Sequence, residues 1–190
     1  MRKIVLFTLI VLAGNVRANG QQKVRGFDPA QHKSIGHLRN LYEIDSGVYR
    51  SAQPRRRSFE AMSQAGIQEI LNLRRHKNVD SLRRGSTSMI LIQVPLKARK
   101  LNEQHIVDAL RVIKNRQGPI LIHCWKGSDR TGLICAMYRI IFDDWSKDAA
   151  LQEMEHGGFG FHKTYKEIPR YIRHANVDSI RKIMEDQLVK

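Results

Sequence analysis

Cysteine is nearly absent from this chain: Cys124 and Cys135 are the only two in 190 residues. That count excludes a scaffold stapled by several disulfides and a cysteine-rich zinc module. Proline and glycine are sparse and dispersed, five and 13 respectively, so no collagen-like, Pro-rich or Gly-rich tract exists. No stretch repeats itself, which excludes a solenoid. Acidic residues are few, 18 against 33 Lys and Arg. After the first residues, no apolar run approaches the roughly 20 positions that a membrane helix needs.

The exception is the N-terminus. Arg2 and Lys3 precede an apolar run from Ile4 to Ala13, and Val16-Arg17-Ala18 puts small residues where a signal peptidase reads. The pattern predicts a secretory signal peptide over residues 1–18, cleaved after Ala18. An uncleaved anchor is the alternative, for which the run is short. The chain predicted to remain, Asn19 to Lys190, is long enough for one domain with a proper core. It divides into an extended lead-in over 19–37 and a single domain over 38–190. Without Arg2, Lys3 and Arg17, the 33 basic residues fall to 30 against the same 18 acidic ones, a net +12. Such a surface attracts anions, or serves only to keep the chain soluble. Apart from Arg55-Arg56-Arg57 the cations are scattered and do not interleave with aromatics, so nucleic acid is not an expected partner.

The two cysteines are not expected to pair. Cys124 falls in a loop before a helix and Cys135 on the buried side of that helix, whereas a bridge needs Cα atoms within about 7 Å and converging side chains. Val48-Tyr49-Arg50 reads as a short strand. Ser58 is placed to cap a helix running to about Ala65, with Gly66 as its stop. Gln68–Leu73 and Met89–Val94 read as strands, separated by a polar, basic loop over 74–87. Asn102 caps a helix whose stripe is Ile106, Val107, Leu110 and Ile113. Ile120–His123 is a short apolar strand, followed after a loop by a buried helix carrying Leu133, Ala136, Met137, Ile140 and Ile141. Ser146 opens a helix to about His156. Two more are expected near 164–175 and 177–188. Strands alternating with helices predict an α/β fold with a small, mostly parallel central sheet flanked by helices.

His123-Cys124-Trp125-Lys126-Gly127-Ser128-Asp129-Arg130-Thr131-Gly132 carries the chemistry. A strand, a tight loop and a helix start form an anion site, because backbone N–H groups converge where the helix dipole is positive. Gly127 permits the turn. Arg130 offers a planar fork to two phosphate oxygens. A thiol in such a field is favoured as thiolate, the nucleophilic form. Trp125, Lys126, Gly127, Ser128, Asp129 and Arg130 are thus the expected phosphate-binding residues. His123 is expected to bond backbone behind the nucleophile, and Thr131 to offer its hydroxyl to the sulfur. The chemistry needs no cofactor, and no His/Asp/Glu spacing suggests a metal.

This segment resembles cysteine-dependent protein tyrosine and dual-specificity phosphatases. The likeness extends to Val48-Tyr49-Arg50-Ser51-Ala52-Gln53-Pro54, to Leu71-Asn72-Leu73-Arg74, to Ala136–Arg139 and to Gly157-Gly158-Phe159-Gly160. With the leader, it is similar to exported bacterial phosphatases of the TpbA type over roughly residues 38 to 180. The resemblance implies a dual-specificity-phosphatase-like fold and a phosphocysteine intermediate. It implies a phosphotyrosine-bearing protein as partner, and the leader predicts periplasmic or secreted location, so that partner is expected to be an exported or membrane protein. A phosphoinositide substrate, a phospho-binding module of weak activity and a sulfurtransferase are the alternatives. Arg50 and Arg74 lie in the resembling motifs and either brace the loop or are ordinary surface arginines. The glycine-rich 157–160 stretch either borders the pocket or only turns the chain.

One expected part is missing. Such phosphatases carry an aspartate as general acid some thirty positions before the cysteine, yet no aspartate occurs between Met89 and Val107. Glu103 is the only carboxylate there, and it is equally a capping residue. Asp129 within the loop is the other candidate, and equally a brace.

Overall fold

The structure is a computed structural model that describes residues 28–75 and 80–185. The predicted signal peptide lies outside the described residues. Among the described residues six strands form one sheet in the order β1-β2-β3-β6-β4-β5. They are β1 Gln31–His32, β2 Tyr42–Asp45, β3 Val48–Ser51, β4 Glu69–Asn72, β5 Ile90–Gln93 and β6 Ile120–His123. Strands β3, β6, β4 and β5 run parallel. β1 and β2 add an antiparallel edge, β2 turning into β3 through Gly47 at φ +71°. The mostly parallel α/β arrangement expected from the alternation of elements is what forms.

Strands β4 and β6 are buried at every position because both faces are covered. Successive side chains point to opposite faces. Ile120 and Ile122 of β6, and Leu71 of β4, enter the larger core, whereas Leu121 and Ile70 enter the smaller one. The smaller core packs under α1 (Arg56–Gln64), through Phe59 and Met62. The larger packs under α3 (Glu103–Lys114), α4 (Asp129–Phe142), α5 (Lys147–His156), α6 (Glu167–His174) and α7 (Val177–Glu185). Helix α4 is buried from Thr131 to Ile141, as its continuous apolar run requires.

Two expected caps form as read: Asn102 accepts from Gln104 N–H, and Ser146 from Ala149 N–H. Ser58 does not cap. Helix α1 starts three residues earlier, with extended Arg55 at its N-cap in place of Ser58, and Ser58 is buried in the first turn beside Phe59. Pro54 turns the chain directly into the helix, and burial of the Phe59/Met62 face sets its start. The loop read over 74–87 contains a short helical turn, α2 (Asp80–Arg83), because Asp80 is drawn fully inside by polar partners. The lead-in is more specified than its composition suggests. β1 pairs with β2, Ala30 N–H donates to Glu153, and Arg139 donates to Asp28 O. The helix expected near 164–175 is shorter, 167–174, and the last runs 177–185, its expected end near 188 lying outside the described residues.

Candidate active site

The parallel register brings three strand ends level: Ser51 of β3 and Asn72 of β4 both lie opposite His123 of β6. Ligands bind at such carboxyl ends in open α/β sheets. Cys124 follows immediately and is 2% exposed. The chain then rises to exposed Trp125 and Lys126 and returns through Gly127 at φ +76°. A Cβ on Gly127 would lie 2.4 Å from the Ser51 carbonyl atoms, so both the backbone angle and the space demand glycine. Buried Ser128 precedes α4, and its side chain makes no capping bond. The first-turn N–H groups of α4 therefore have no side-chain acceptor from the N-cap, as an anion site requires.

The loop is braced from behind. Arg50 is buried, donates Nη2 to Gly127 O at 2.8 Å and stacks 3.8 Å over the Phe159 ring. Asn40 donates to both Lys126 O and Phe159 O, each at 3.0 Å. The glycine-rich 157–160 stretch thus backs the loop. His123 lies with Nδ1 3.1 Å from Cys124 O and Nε2 3.1 Å from Asp80 Oδ2. Asp80 also accepts from Asn72 and Gln53, which in turn accepts from Arg74. Thr131 is fully buried beside the loop, but its hydroxyl has no hydrogen-bond partner. The bond to the Cys124 sulfur expected from the motif is not made here.

Beside the loop opens a cleft of about 490 Å³ lined by Arg74, Arg75, Lys97, Arg99, Lys100, Trp125, Asp129, Arg130 and Tyr165 among others. Its charge is almost wholly positive. Among the described residues Arg130 donates only to the Leu73 carbonyl, at 3.4 Å. Partial burial, then the like charges of Arg130 and Arg83, lower the Arg74 pKa from its ordinary value. Trp125 is 54% exposed and forms a rim with Arg74 stacked 4.7 Å from its centre. Arg99 lies similarly over Tyr165, at 5.2 Å. A larger cavity, about 610 Å³, sits between β2 and the end of α4. It holds no residue of the Cys124–Arg130 loop, and its arginine, Arg139, is already bound by Glu153 and Asp143.

The two carboxylates considered from sequence are separated. Asp129 lines the cleft beside Arg130. Glu103 lines a neighbouring cleft with Leu101, Asn102 and Gln104, and accepts from Tyr171 at 3.1 Å. His162, which no sequence pattern singled out, bonds Asp129 through both its backbone N–H and its ring. Asp80 was equally hidden. Its one sequence signal was an isolated acid within a basic stretch.

A thiol at the end of a central parallel strand, on a loop turned by a left-handed glycine and closed by an arginine, is how cysteine-dependent phosphatases are built. Fold and loop together define that class. The family model described as the tyrosine phosphatase family matches residues 38–189, and the chain belongs to that family. It is 34% identical to the dual specificity protein phosphatase TpbA of Pseudomonas aeruginosa over 158 residues, 82% of this chain and 72% of TpbA. The crystal structure of TpbA superposes with a TM-score of 0.74 at 33% identity, covering 84% of this chain and 98% of that one. A cysteine-to-serine variant of TpbA in complex with pTyr matches equally. The inositol diphosphatase DSP3 of Arabidopsis thaliana is 26% identical over 124 residues, 61% of either chain. The chain is thus an enzyme of the tyrosine and dual-specificity phosphatase group.

Proposed function

We propose that the chain is an exported protein phosphatase that hydrolyses phosphotyrosine, with phosphoserine and phosphothreonine as weaker substrates. One observation carries the reading: buried Cys124 opens the loop whose Trp125, Asp129 and Arg130 line a cleft with almost entirely cationic walls. A phosphate dianion is drawn in, and Arg130 and the loop N–H groups hold its non-bridging oxygens. The Cys124 sulfur attacks phosphorus, the bond to the leaving oxygen breaks, and phosphocysteine forms. Water then attacks the same phosphorus, the P–S bond breaks, and inorganic phosphate leaves with the thiolate restored. A phenolate departs with little help, whereas an alkoxide needs a proton. The Trp125 and Tyr165 walls suit an aromatic leaving group. TpbA, with its pTyr complex, supports this substrate class.

A second reading rests on a different observation. Five cations besides Arg130 line the cleft, more than one phosphate requires, and the Arabidopsis relative is an inositol diphosphatase. A phosphoinositide or other polyphosphorylated substrate would use them. Initial rates on phosphotyrosine and phosphoserine peptides and on phosphoinositide vesicles, with wild type and Cys124→Ser, separate the readings. A phosphotyrosine peptide turned over no faster than the lipid overturns the first. Export rests on the leader over 1–18 alone. N-terminal sequencing of the chain from the periplasm or medium should begin at Asn19, and an intact Met1 terminus would refute cleavage.

A further inference from the structure

Asp129 is held by one residue from outside the loop. His162 N–H donates to Asp129 Oδ1 at 2.9 Å, and His162 Nδ1 lies 2.9 Å from the same oxygen and 3.1 Å from Oδ2. On the far side of the ring, Lys126 Nζ is 3.1 Å from Nε2. An ammonium has only donors, so Nε2 accepts and Nδ1 carries the hydrogen. Lys126 thereby selects the tautomer that can donate to Asp129. Of the two carboxyl oxygens, Oδ1 receives two donors and Oδ2 one longer, shared contact. Oδ2 is therefore the oxygen left for proton exchange in the cleft that Asp129 lines.

We propose that Asp129 handles protons for both half-reactions through Oδ2, and that His162 is its positioning residue, with Lys126 fixing the His162 tautomer. This rests on the phosphatase reading above. In the first half, Oδ2–H protonates the departing oxygen as its bond to phosphorus breaks. In the second, the carboxylate takes one proton from the attacking water while the P–S bond breaks. Phosphate, the Cys124 thiolate and a protonated Asp129 result, ready for the next substrate. The role left empty by the missing aspartate before the cysteine is thus filled from inside the loop. The groups that face His162 are Asp129 from α4, Lys126 from the loop and, from its own segment, the Tyr165 ring, perpendicular to it with centroids 6.3 Å apart. Arg39 shares the cavity beside it. Protonation of Nε2 would set an imidazolium against the Lys126 ammonium and break that link.

Leaving groups supply the test. Rates are compared on an aryl and an alkyl phosphate for wild type, Asp129→Asn, His162→Ala, His162→Asn and the Asp129→Asn/His162→Ala double variant. General acid–base catalysis is worth about 10² to 10⁴-fold, and misplacing the group forfeits part of that. His162→Ala should lower kcat on the alkyl ester about 10- to 100-fold and on the aryl ester less than about threefold. The double variant should be no worse than Asp129→Asn alone, because His162 acts through Asp129. His162→Asn, whose amide N–H replaces the Nδ1 donor, should recover most of the alkyl rate. Equal losses on both esters, additive losses in the double variant, or an Asp129→Asn enzyme unchanged on the alkyl ester would each overturn the proposal. Vanadate affinity, read in parallel, should be retained by His162→Ala; its loss would mean that His162 holds the phosphate loop rather than the proton. Turnover that survives Cys124→Ser would instead sink the phosphatase reading itself.

Discussion

The segment 124–142 contains the same two residue types twice. At its start stand Cys124 and Arg130; deeper in α4 stand Cys135 and Arg139. Both thiols are hidden, 2% and 1% exposed, so burial does not tell them apart. Their surroundings do. Cys135 sits in apolar core, and burial pushes its thiol up to about 11. Arg139 is clamped by Glu153 at 2.9 Å and Asp143 at 3.1 Å, its 3% exposed side chain stacked on Trp145. Arg130, by contrast, finds one carbonyl at 3.4 Å among cationic neighbours. In the helix interior the protein satisfies its own charges. At the loop it leaves N–H groups and a guanidinium for a ligand, and that difference separates structure from function along one continuous segment.

The sharpest way to break this comparison is to exchange the sulfurs. Cys124→Ser should reduce turnover of an aryl phosphate to background while substrate is still bound, since the nucleophile is gone and the clamp remains. Cys135→Ser should keep kcat and lose stability, by about 1–3 kcal/mol for a hydroxyl in apolar core. Activity that follows Cys135 instead would invert the assignment. Next come the arginines. Arg130→Lys should cost about 10²- to 10³-fold in kcat, the range seen when one preorganised donor is lost. Lysine offers a point charge where a planar fork is needed. Arg139→Lys should lower the melting temperature and leave kcat of the folded enzyme nearly unchanged.

The start of α4 was legible because everything it needs is contiguous. Strand, thiol, glycine, arginine and helix occupy one short stretch, and the glycine requirement follows from a backbone angle. Asn102 and Ser146 were legible as caps for the same reason. What stayed hidden is assembled from afar. Asp80 reaches His123 across 43 positions, and His162 reaches Asp129 across 33. Neither sits in a local pattern that marks a partner. β1 is two residues long, too short for a period-2 signal, and exists only because β2 offers it an edge. Ser58 misled because its local capping preference lost to burial of the α1 face.

A smaller effect tests the interior half through pH. The Cys135 thiol ionises in the unfolded chain near its ordinary value but in the folded one only near 11. The unfolded state therefore holds fewer protons between those values, and stability falls as pH rises through them. The contribution is fully present below about 8.5 and amounts to about 3 kcal/mol lost by pH 11, at ~1.4 kcal/mol per unit. Tyr138 and Tyr171, also pushed up by burial, act alike in wild type and variant and cancel. Urea denaturation at stepped pH should show a shallower alkaline decline in Cys135→Ala. Equal slopes would mean that water reaches Cys135, and the contrast with Cys124 would then rest on position alone.

The smallest expected effect concerns Glu103, which sequence made as good a proton donor as Asp129. It lies in the first turn of α3, where a helix dipole favours an acid, and it accepts from Tyr171 outside the Arg130 cleft. Burial first, and then the Glu103 charge, raise the Tyr171 pKa, so the pair ties α6 to α3. Glu103→Gln keeps an acceptor there and should change kcat less than about twofold, the scale of an exposed substitution. Its pH–rate profile should retain the basic limb, which the true proton donor loses when amidated. Should Glu103→Gln lose that limb while Asp129→Asn keeps it, protons enter from the α3 side, and the carboxylate inside the loop is a brace.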